Sequence, residues 1–461
     1  MLAFALATSL ALSVPLQPVP GNGSQDLTSL SLEQLMQMEV TSVSRREESV
    51  AGAAAAVYVI TQEDLRRSGV SSIPEALRMV PGIEVARINS SQWAISARGF
   101  LGRFANKMLV MIDGRTVYTT LFSGVFWDVQ DLVLEDVERI EVIRGPGATM
   151  WGANAVNGVI NIITKRAADT QGSLFFAQVG DEDRFTGGYR YGGSMGEDAH
   201  YRFYGKYLDR DGAHRADDEW DQARGGFRFD WGAPEADDRF TVQGDFYDGS
   251  AALATPVPLP SAPYSTVVLD DTDSSGGNLQ GTWVRRLSET SELSLAARLD
   301  HFDLQTVVAD DERLTMEIDL QHGFQASPNQ RILWGLGYRR VESEFDGSFA
   351  LSLREEERND DLLSAFVQDE IALDDAERWR LVLGSKFEEN DYTGFEIQPS
   401  VRLAFRPDEH KTWWAAVSRA VRTPSQVEDD AIIRSSVFPG TFPFTNIVEV
   451  RGRGDVEAEE L

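Results

Sequence analysis

From Ala167 onward the chain repeats one pattern: segments of about ten residues that alternate apolar and polar side chains, separated by clusters of Asp, Gly, Asn, Ser and Pro. Leu314, Met316, Ile318 and Leu320 share one face, with Thr315, Glu317, Asp319 and Gln321 on the other. Phe227, Phe229 and Trp231 alternate with Arg228 and Asp230. Phe240, Val242 and Phe246 alternate with Thr241, Gln243, Asp245 and Tyr247, and Leu293, Leu295, Ala297 and Leu299 with Ser294, Ala296, Arg298 and Asp300. A period of two is the signature of a strand that buries one face. A soluble β-sandwich has the same period, so the longer repeat must discriminate. About 13 such segments occur, many near the length that crosses ~25 Å of hydrocarbon at a tilt. Faces carrying Trp and Phe lie opposite faces carrying acids and bases. That suits a wall with lipid on one side and water on the other.

Composition narrows the choices further. No window of about 18 apolar residues follows the N-terminal stretch, which excludes a helical membrane protein. With 24 Phe, 11 Tyr and 10 Trp, the chain can furnish aromatic girdles at two membrane interfaces. A formal charge of −30 argues against nucleic acid as a partner, because phosphate binding needs a basic surface. The absence of cysteine removes disulfides, thiol catalysis and thiolate metal sites. Gly145-Pro-Gly147-Ala-Thr-Met150 begins like a dinucleotide loop but has Met150 where a third Gly is needed. The five histidines (His200, His214, His301, His322, His410) are scattered, with no two at metal-ligand spacing. No Gly-x-Ser-x-Gly elbow occurs. The chain is expected to be no enzyme and to need no cofactor or metal.

Ahead of the alternating region lies a different kind of sequence. Val57–Ile60 reads as a strand, and Thr61 caps a helix with Asp64 at the capping-box position. A second helix, Ile73 to Met79, has Pro74 in its first turn and stops before Pro81-Gly82; Ile83–Val85 resumes extended chain. From Arg98 to Lys165 come Arg98-Gly99-Phe100, then Leu109-Val-Met-Ile-Asp-Gly114, then Val137-Glu-Arg-Ile-Glu-Val-Ile-Arg-Gly-Pro-Gly147, then Trp151-Gly-Ala-Asn-Ala-Val-Asn-Gly158-Val-Ile-Asn-Ile-Ile-Thr-Lys165. These are short apolar strands with turn residues between them, and Asp113-Gly114 and Asn157-Gly158 read as positive-φ turns. Strands this short need one another, so the block is a compact α+β module.

In the order and spacing of these motifs the block resembles the plug domain of TonB-dependent outer-membrane receptors. The resemblance implies a mostly-β molecule: a small α+β plug followed by an antiparallel transmembrane β-barrel. The expected division is a signal peptide over 1–20, a flexible segment with a TonB box over 21–53, the plug over 54–166 and barrel over 167–461. The apolar run Leu2–Leu12 fits a secretory signal, although no Lys or Arg precedes Arg45. A short helix over Leu27–Met36, capped by Ser29 or Ser31, is expected next. Plugged transporters close at 22 strands, so about 13 segments read as a barrel truncated at its C-terminus by about nine strands.

The resemblance also places residues. The TonB box would be Glu39, Val40, Thr41, Ser42 and Val43, an extended segment that adds a strand to the energy-coupling protein TonB; an ordinary linker strand is the plain alternative. Two plug loops, Asn89–Trp93 and Thr116–Trp127, would face the outside and offer Ser90, Gln92, Trp93, Tyr118, Phe122 and Trp127 to a bulky metal chelate. The alternative is that these aromatics pack the plug against the wall. Arg98 and Arg144 would lock the plug by pairing with barrel glutamates, with Glu370 and Glu388 as candidates. The function implied is active import, of a ferric siderophore first and cobalamin second, in contact with outer-membrane lipid. A sensing receptor without import, a passive porin and a soluble enzyme are the competing classes.

Overall fold

In a computed structural model the described residues are 39–42, 48–49, 52–99, 101–212, 218–408, 411–440 and 445–461. The expected signal segment, the helix over Leu27–Met36 and Val43 lie outside them.

A two-residue strand β1 (Glu39–Val40) pairs with β2 (Glu48–Ser49). β3 (Val57–Thr61) leads into α1 (Gln62–Ser68), whose N-cap is Thr61. The Asp64 amide donates to Thr61 Oγ1 (3.1 Å) and the Thr61 amide to Asp64 Oδ2 (2.9 Å), the reciprocal box that its sequence announces. α2 (Ile73–Ala76) continues as a 3₁₀ turn to Met79. β4 (Ile83–Arg87) and β5 (Trp93–Ala97) form a hairpin. β6 (Met108–Ile112), β7 (Arg115–Thr116), β8 (Val137–Arg144), the turn α3 (Ala148–Trp151) and β9 (Gly158–Thr164) complete the module. Its sheet has the order β3-β8-β9-β6-β7, with β6 and β9 parallel. One face, including Ile60, Val110, Ile112, Ile140 and Ile160, packs on Leu65, Ile73 and Leu77 of the helices.

Asp113 (φ 49°) and Gly114 (φ 80°) make the expected β6–β7 turn. Asn157-Gly158 is a correction: it is no positive-φ turn but the entry to β9. Glycine is needed there for space, because a Cβ would sit 2.3 Å from the Ile143 carbonyl oxygen.

The alternating region forms one antiparallel sheet of 13 strands. They are β10 (Gly172–Gln178), β11 (Phe185–Ser194), β12 (Ala199–Arg210), β13 (Trp220–Trp231), β14 (Asp238–Pro258), β15 (Ser265–Ser288), β16 (Ser291–Gln305), β17 (Ala309–Ser327) and β18 (Gln330–Gly347). After a short strand β19 (Leu351–Leu353) that leaves the sheet come β20 (Glu357–Ala372), β21 (Trp379–Asn390), β22 (Gly394–Asp408) and β23 (Lys411–Ser418). Each strand pairs with its sequence neighbour, so the sheet is an uninterrupted meander.

The faces fall as the alternation dictates. Phe203, Phe246, Ile318, Leu336 and Leu363 are exposed on the outside, whereas Arg202, Gln222, Gln243, Arg313 and Gln398 are buried toward the plug. An apolar outer face with polar groups turned inward is the pattern of a wall in lipid. Tight turns such as 289–290 and 328–329 lie on one rim, and longer links such as 259–264 and 348–356 on the other. On the long-loop rim, β24 (Val421–Arg422), α4 (Gln426–Asp430), β25 (Ala431–Pro439), β26 (Thr445–Arg451) and β27 (Glu459–Glu460) follow, and β19, β25 and β26 form a small sheet.

Candidate functional site

The two expected plug loops both reach the long-loop rim, and the wall grips both. In the β4–β5 loop, the Ser90 amide donates to Asp218 Oδ2 (2.7 Å), and Arg210 Nη1 donates to the Ser90 carbonyl (3.2 Å). Trp93 is 2% exposed, edge-on to Trp220 at 5.9 Å between ring centroids, with the Arg210 guanidinium 5.4 Å from its ring. Ser90 and Gln92 are buried too. In the second loop, Phe122 stacks on Phe104 (4.6 Å) and Phe126 on Phe302 of β16 (5.0 Å). Trp127 is buried in the plug core. Tyr118 is half-buried; its hydroxyl donates to the Asn106 carbonyl (3.2 Å), and burial pushes its phenol up. Of the six loop residues singled out from sequence, Tyr118 and Phe122 keep part of their surface, and the other four are enclosed by protein.

The plug is bonded to the wall mainly by cations that belong to the wall. Arg190 of β11 pairs with Asp136 (2.5 Å). From β12, Arg202 donates to the Lys165 carbonyl (2.6 Å) and Lys206 Nζ meets Asp131 Oδ2 (2.7 Å) and the Leu132 carbonyl (2.9 Å). Arg224 of β13 reaches the Val129 carbonyl. These side chains are nearly solvent-free, so each charge depends on its partner.

The residues expected to form the lock make other contacts among the described residues. Arg98 sits at a left-handed position (φ 61°) and its Nη2 turns back to the Arg144 carbonyl (3.4 Å). Arg144 Nη1 donates to the Pro81 carbonyl (2.7 Å), tying β8 to the turn after α2. Glu370 pairs with Arg380 within the wall (3.0 Å). Glu388 does touch the plug, but accepts from the Ala153 amide (2.9 Å) rather than from a guanidinium. Arg115 and Arg87 are plug arginines that do meet wall carboxylates, Asp300 and Glu182 respectively. Sequence offered a signal for the true contacts: Arg202, Lys206 and Arg210 recur every fourth residue on the inward parity of β12.

On the other side of the plug sheet is a cavity of about 660 Å³. Its floor includes Leu109, Met111 and Asn161 of β6 and β9, and its roof includes Gln280, Ser294 and Ser364 of the wall. The charges around it are matched across strands: Arg298 bridges Glu317 (2.6 Å) and Asp319 (2.5 Å), and Arg339 also meets Glu317 (2.6 Å). The cavity thus presents hydroxyls, amides and charges of both signs, several of them paired across strands. Among the described residues no group of three or more His, Asp or Glu could hold a metal ion.

At the short-turn end, the first described residues close over the same sheet face. The Thr41 amide (3.0 Å) and Ser42 amide (2.7 Å) donate to Glu141 Oε2, and both hydroxyls add bonds to that carboxylate. Trp151 Nε1 donates to the Ser42 carbonyl (2.7 Å) and Asn161 Nδ2 to Ser42 Oγ (3.0 Å). Val40 is buried beside Leu109 and Met111. Arg380, near the start of β21, donates to the Gly52 carbonyl.

Two family models match: TonB-dependent Receptor Plug Domain over residues 49–159, and TonB dependent receptor-like, beta-barrel over residues 164–447. The vitamin B12 transporter BtuB of Vibrio cholerae is 31% identical over 144 residues, which is 31% of this chain and 23% of that protein. BtuB of Vibrio vulnificus matches to the same extent. The alignment therefore spans less than a quarter of these curated relatives. Among solved structures, a variant of the ferric enterobactin receptor PfeA from Pseudomonas aeruginosa gives a TM-score of 0.69 at 18% identity, covering 88% of this chain and 68% of that one. The siderophore receptor PirA from the same organism gives 0.64 at 19% identity, covering 88% and 69%. At these identities the likeness is one of fold.

Proposed function

Since this chain belongs to the TonB-dependent receptor family, an outer-membrane family of Gram-negative bacteria, we propose that it serves energised import of a scarce, bulky ligand, a ferric siderophore first. One observation carries this reading. A single plug presents loops at the long-loop rim and, at the opposite end, a segment held by side-chain bonds that a partner could pull. A passive pore has no use for such a body in its lumen. Tyr118 and Phe122 are the loop residues proposed to touch the ligand, because they retain free surface beside the cavity and the aromatic cluster. Residues 39–43 are proposed as the TonB-binding strand.

Cobalamin is the second reading, favoured by the sequence match to vitamin B12 transporters. Its amides and hydroxyls would suit the hydroxyl and amide groups of the cavity lining. The test is uptake of radio-iron siderophores and of labelled cobalamin by a deletion strain carrying the full-length gene, with and without TonB. Accumulation of one ligand that vanishes without TonB is expected. Uptake that persists without TonB would sink the energised reading, and no uptake of either ligand would remove both cargoes.

A further inference from the structure

We propose that the outer part of β15, Ser265 to Asp271, is a strand-addition site above the membrane. Its partner is an extended segment of another polypeptide that carries aliphatic residues together with Lys or Arg.

β13 begins at Trp220, opposite Ala251 of β14, and β16 stops at Gln305, opposite Asp273 of β15. Beyond these rows seven residue pairs, from Ala252–Asp271 to Pro258–Ser265, continue as a hairpin with no third strand beside it among the described residues. Its two edges are built differently. The Ala252 amide donates to the Glu219 carbonyl (2.9 Å), so Ala252 turns its backbone toward the β13 side. Backbone groups alternate sides along a strand, which puts Ala254, Pro256 and Pro258 on that same edge. Proline removes two of the three donors there, a device that stops an edge from taking another strand. Across the ladder, Leu269, Val267 and Ser265 turn the opposite way, into the space above β16. None of the three is proline, and no group among the described residues bonds their backbone on that side. At the base, the Asp271 amide is occupied by Asp270 Oδ1 (3.1 Å). One edge is closed and the other is open.

The side chains on the open edge have no lipid to meet. Asp303, Glu312 and Glu344 oppose one another on the outer face of β16, β17 and β18. Carboxylates are costly in hydrocarbon, so this row stands on the water side. Asp303 lies opposite Ser275, and Leu269 and Val267 are farther out along β15. Even so they are 60% and 64% exposed. Aliphatic side chains on an edge with free amides and carbonyls are the two elements that strand addition uses, the backbone for affinity and the side chains for fit.

Charge and symmetry select the occupant. From Gly249 to Asp273 there is no Lys or Arg, whereas Asp270, Asp271 and Asp273 gather at the foot of the edge. An incoming strand with a cationic end is therefore complementary. A second copy in the same membrane does not fit. Its hairpin would point the same way, and a two-fold axis along the membrane normal would set amide against amide and carbonyl against carbonyl.

The probe is the fluorescein-labelled peptide Lys-Val-Thr-Val-Thr-Val-Lys, titrated into the purified full-length receptor in detergent and read by anisotropy. Saturable binding below about 1 mM is expected, with Glu-Val-Thr-Val-Thr-Val-Glu weaker by about ten-fold or more. Val267→Pro combined with Leu269→Pro removes two donors from the open edge and should weaken the lysine peptide by at least about ten-fold. Ala254→Pro, on the closed edge, should change it by less than about two-fold. If the double variant does not fold, the unaltered receptor answers with N-methylated peptides. One methylated on alternate residues should still bind through its other edge, and one methylated on every residue should not. Absence of saturable binding, equal binding of the glutamate peptide, an equal loss in Ala254→Pro, or binding of the fully methylated peptide would each overturn the proposal. The assay involves neither TonB nor an imported ligand, so it is read apart from the import reading.

Discussion

A methyl group on Gly158 would collide with the Ile143 carbonyl oxygen across the β8–β9 ladder, where neither backbone can move alone. Gly158→Ala is expected to destabilise the plug by about 1–3 kcal/mol, visible as a lower urea midpoint for tryptophan fluorescence. The dipeptide Asn157-Gly158 reads as a turn because its composition is that of one, and local composition carries no information about a strand arriving from fifteen residues upstream. Asp113-Gly114 was legible because its demand is local: two positive φ angles in a two-residue hairpin. The same division explains Lys206. Its inward parity can be read from β12, but its partner Asp131 is 75 residues away. Lys206→Met should cost about 3–5 kcal/mol by stranding Asp131, and Asp131→Asn in the same molecule should recover most of the loss in a double-mutant cycle.

At the scale of the element, a strand's pattern decides which side it shows to lipid. Phe246, alternating with Asp245 and Tyr247, is 70% exposed on the outer face while Tyr247 is buried against Arg224 and Leu304. Phe246→Arg should therefore cost about 2–4 kcal/mol if it lies near the bilayer midplane, measured as reduced folding yield into lipid vesicles. On the lumen side, Gln243→Glu should cost about 1–3 kcal/mol by the same measure, because Gln243 Nε2 donates to Asp113 Oδ2 (2.9 Å) and a carboxylate there would face that acid. Alternation and capping made the Thr61 box and the wall strands β13, β14, β16 and β17 legible. What remained hidden was each loop's destination. The aromatics of Asn89–Trp93 and Thr116–Trp127 look alike in sequence as ligand surfaces or as packing, and only the positions of Trp220 and Phe302 decide.

For the whole molecule, plug and wall are stabilised differently. The wall is a continuous ladder of backbone pairs; the plug is held in it by side chains and by a core shared with Leu208, Trp220 and Ala251. Urea added in detergent should therefore quench the environment of Trp93 and Trp127 well before strand circular dichroism is lost, as two separate transitions. A single coincident transition would contradict this. The ladder also has a consequence beyond the bilayer. β15 runs for 24 residues and pairs with the whole of β14 from Ser265 to Arg285. At roughly 3.3 Å per residue such a ribbon is about 80 Å long, far more than a tilted strand needs to cross hydrocarbon. Its tip, near 259–264, therefore projects beyond the hydrocarbon on the long-loop rim as a two-stranded arm without a wall strand on either side of its end.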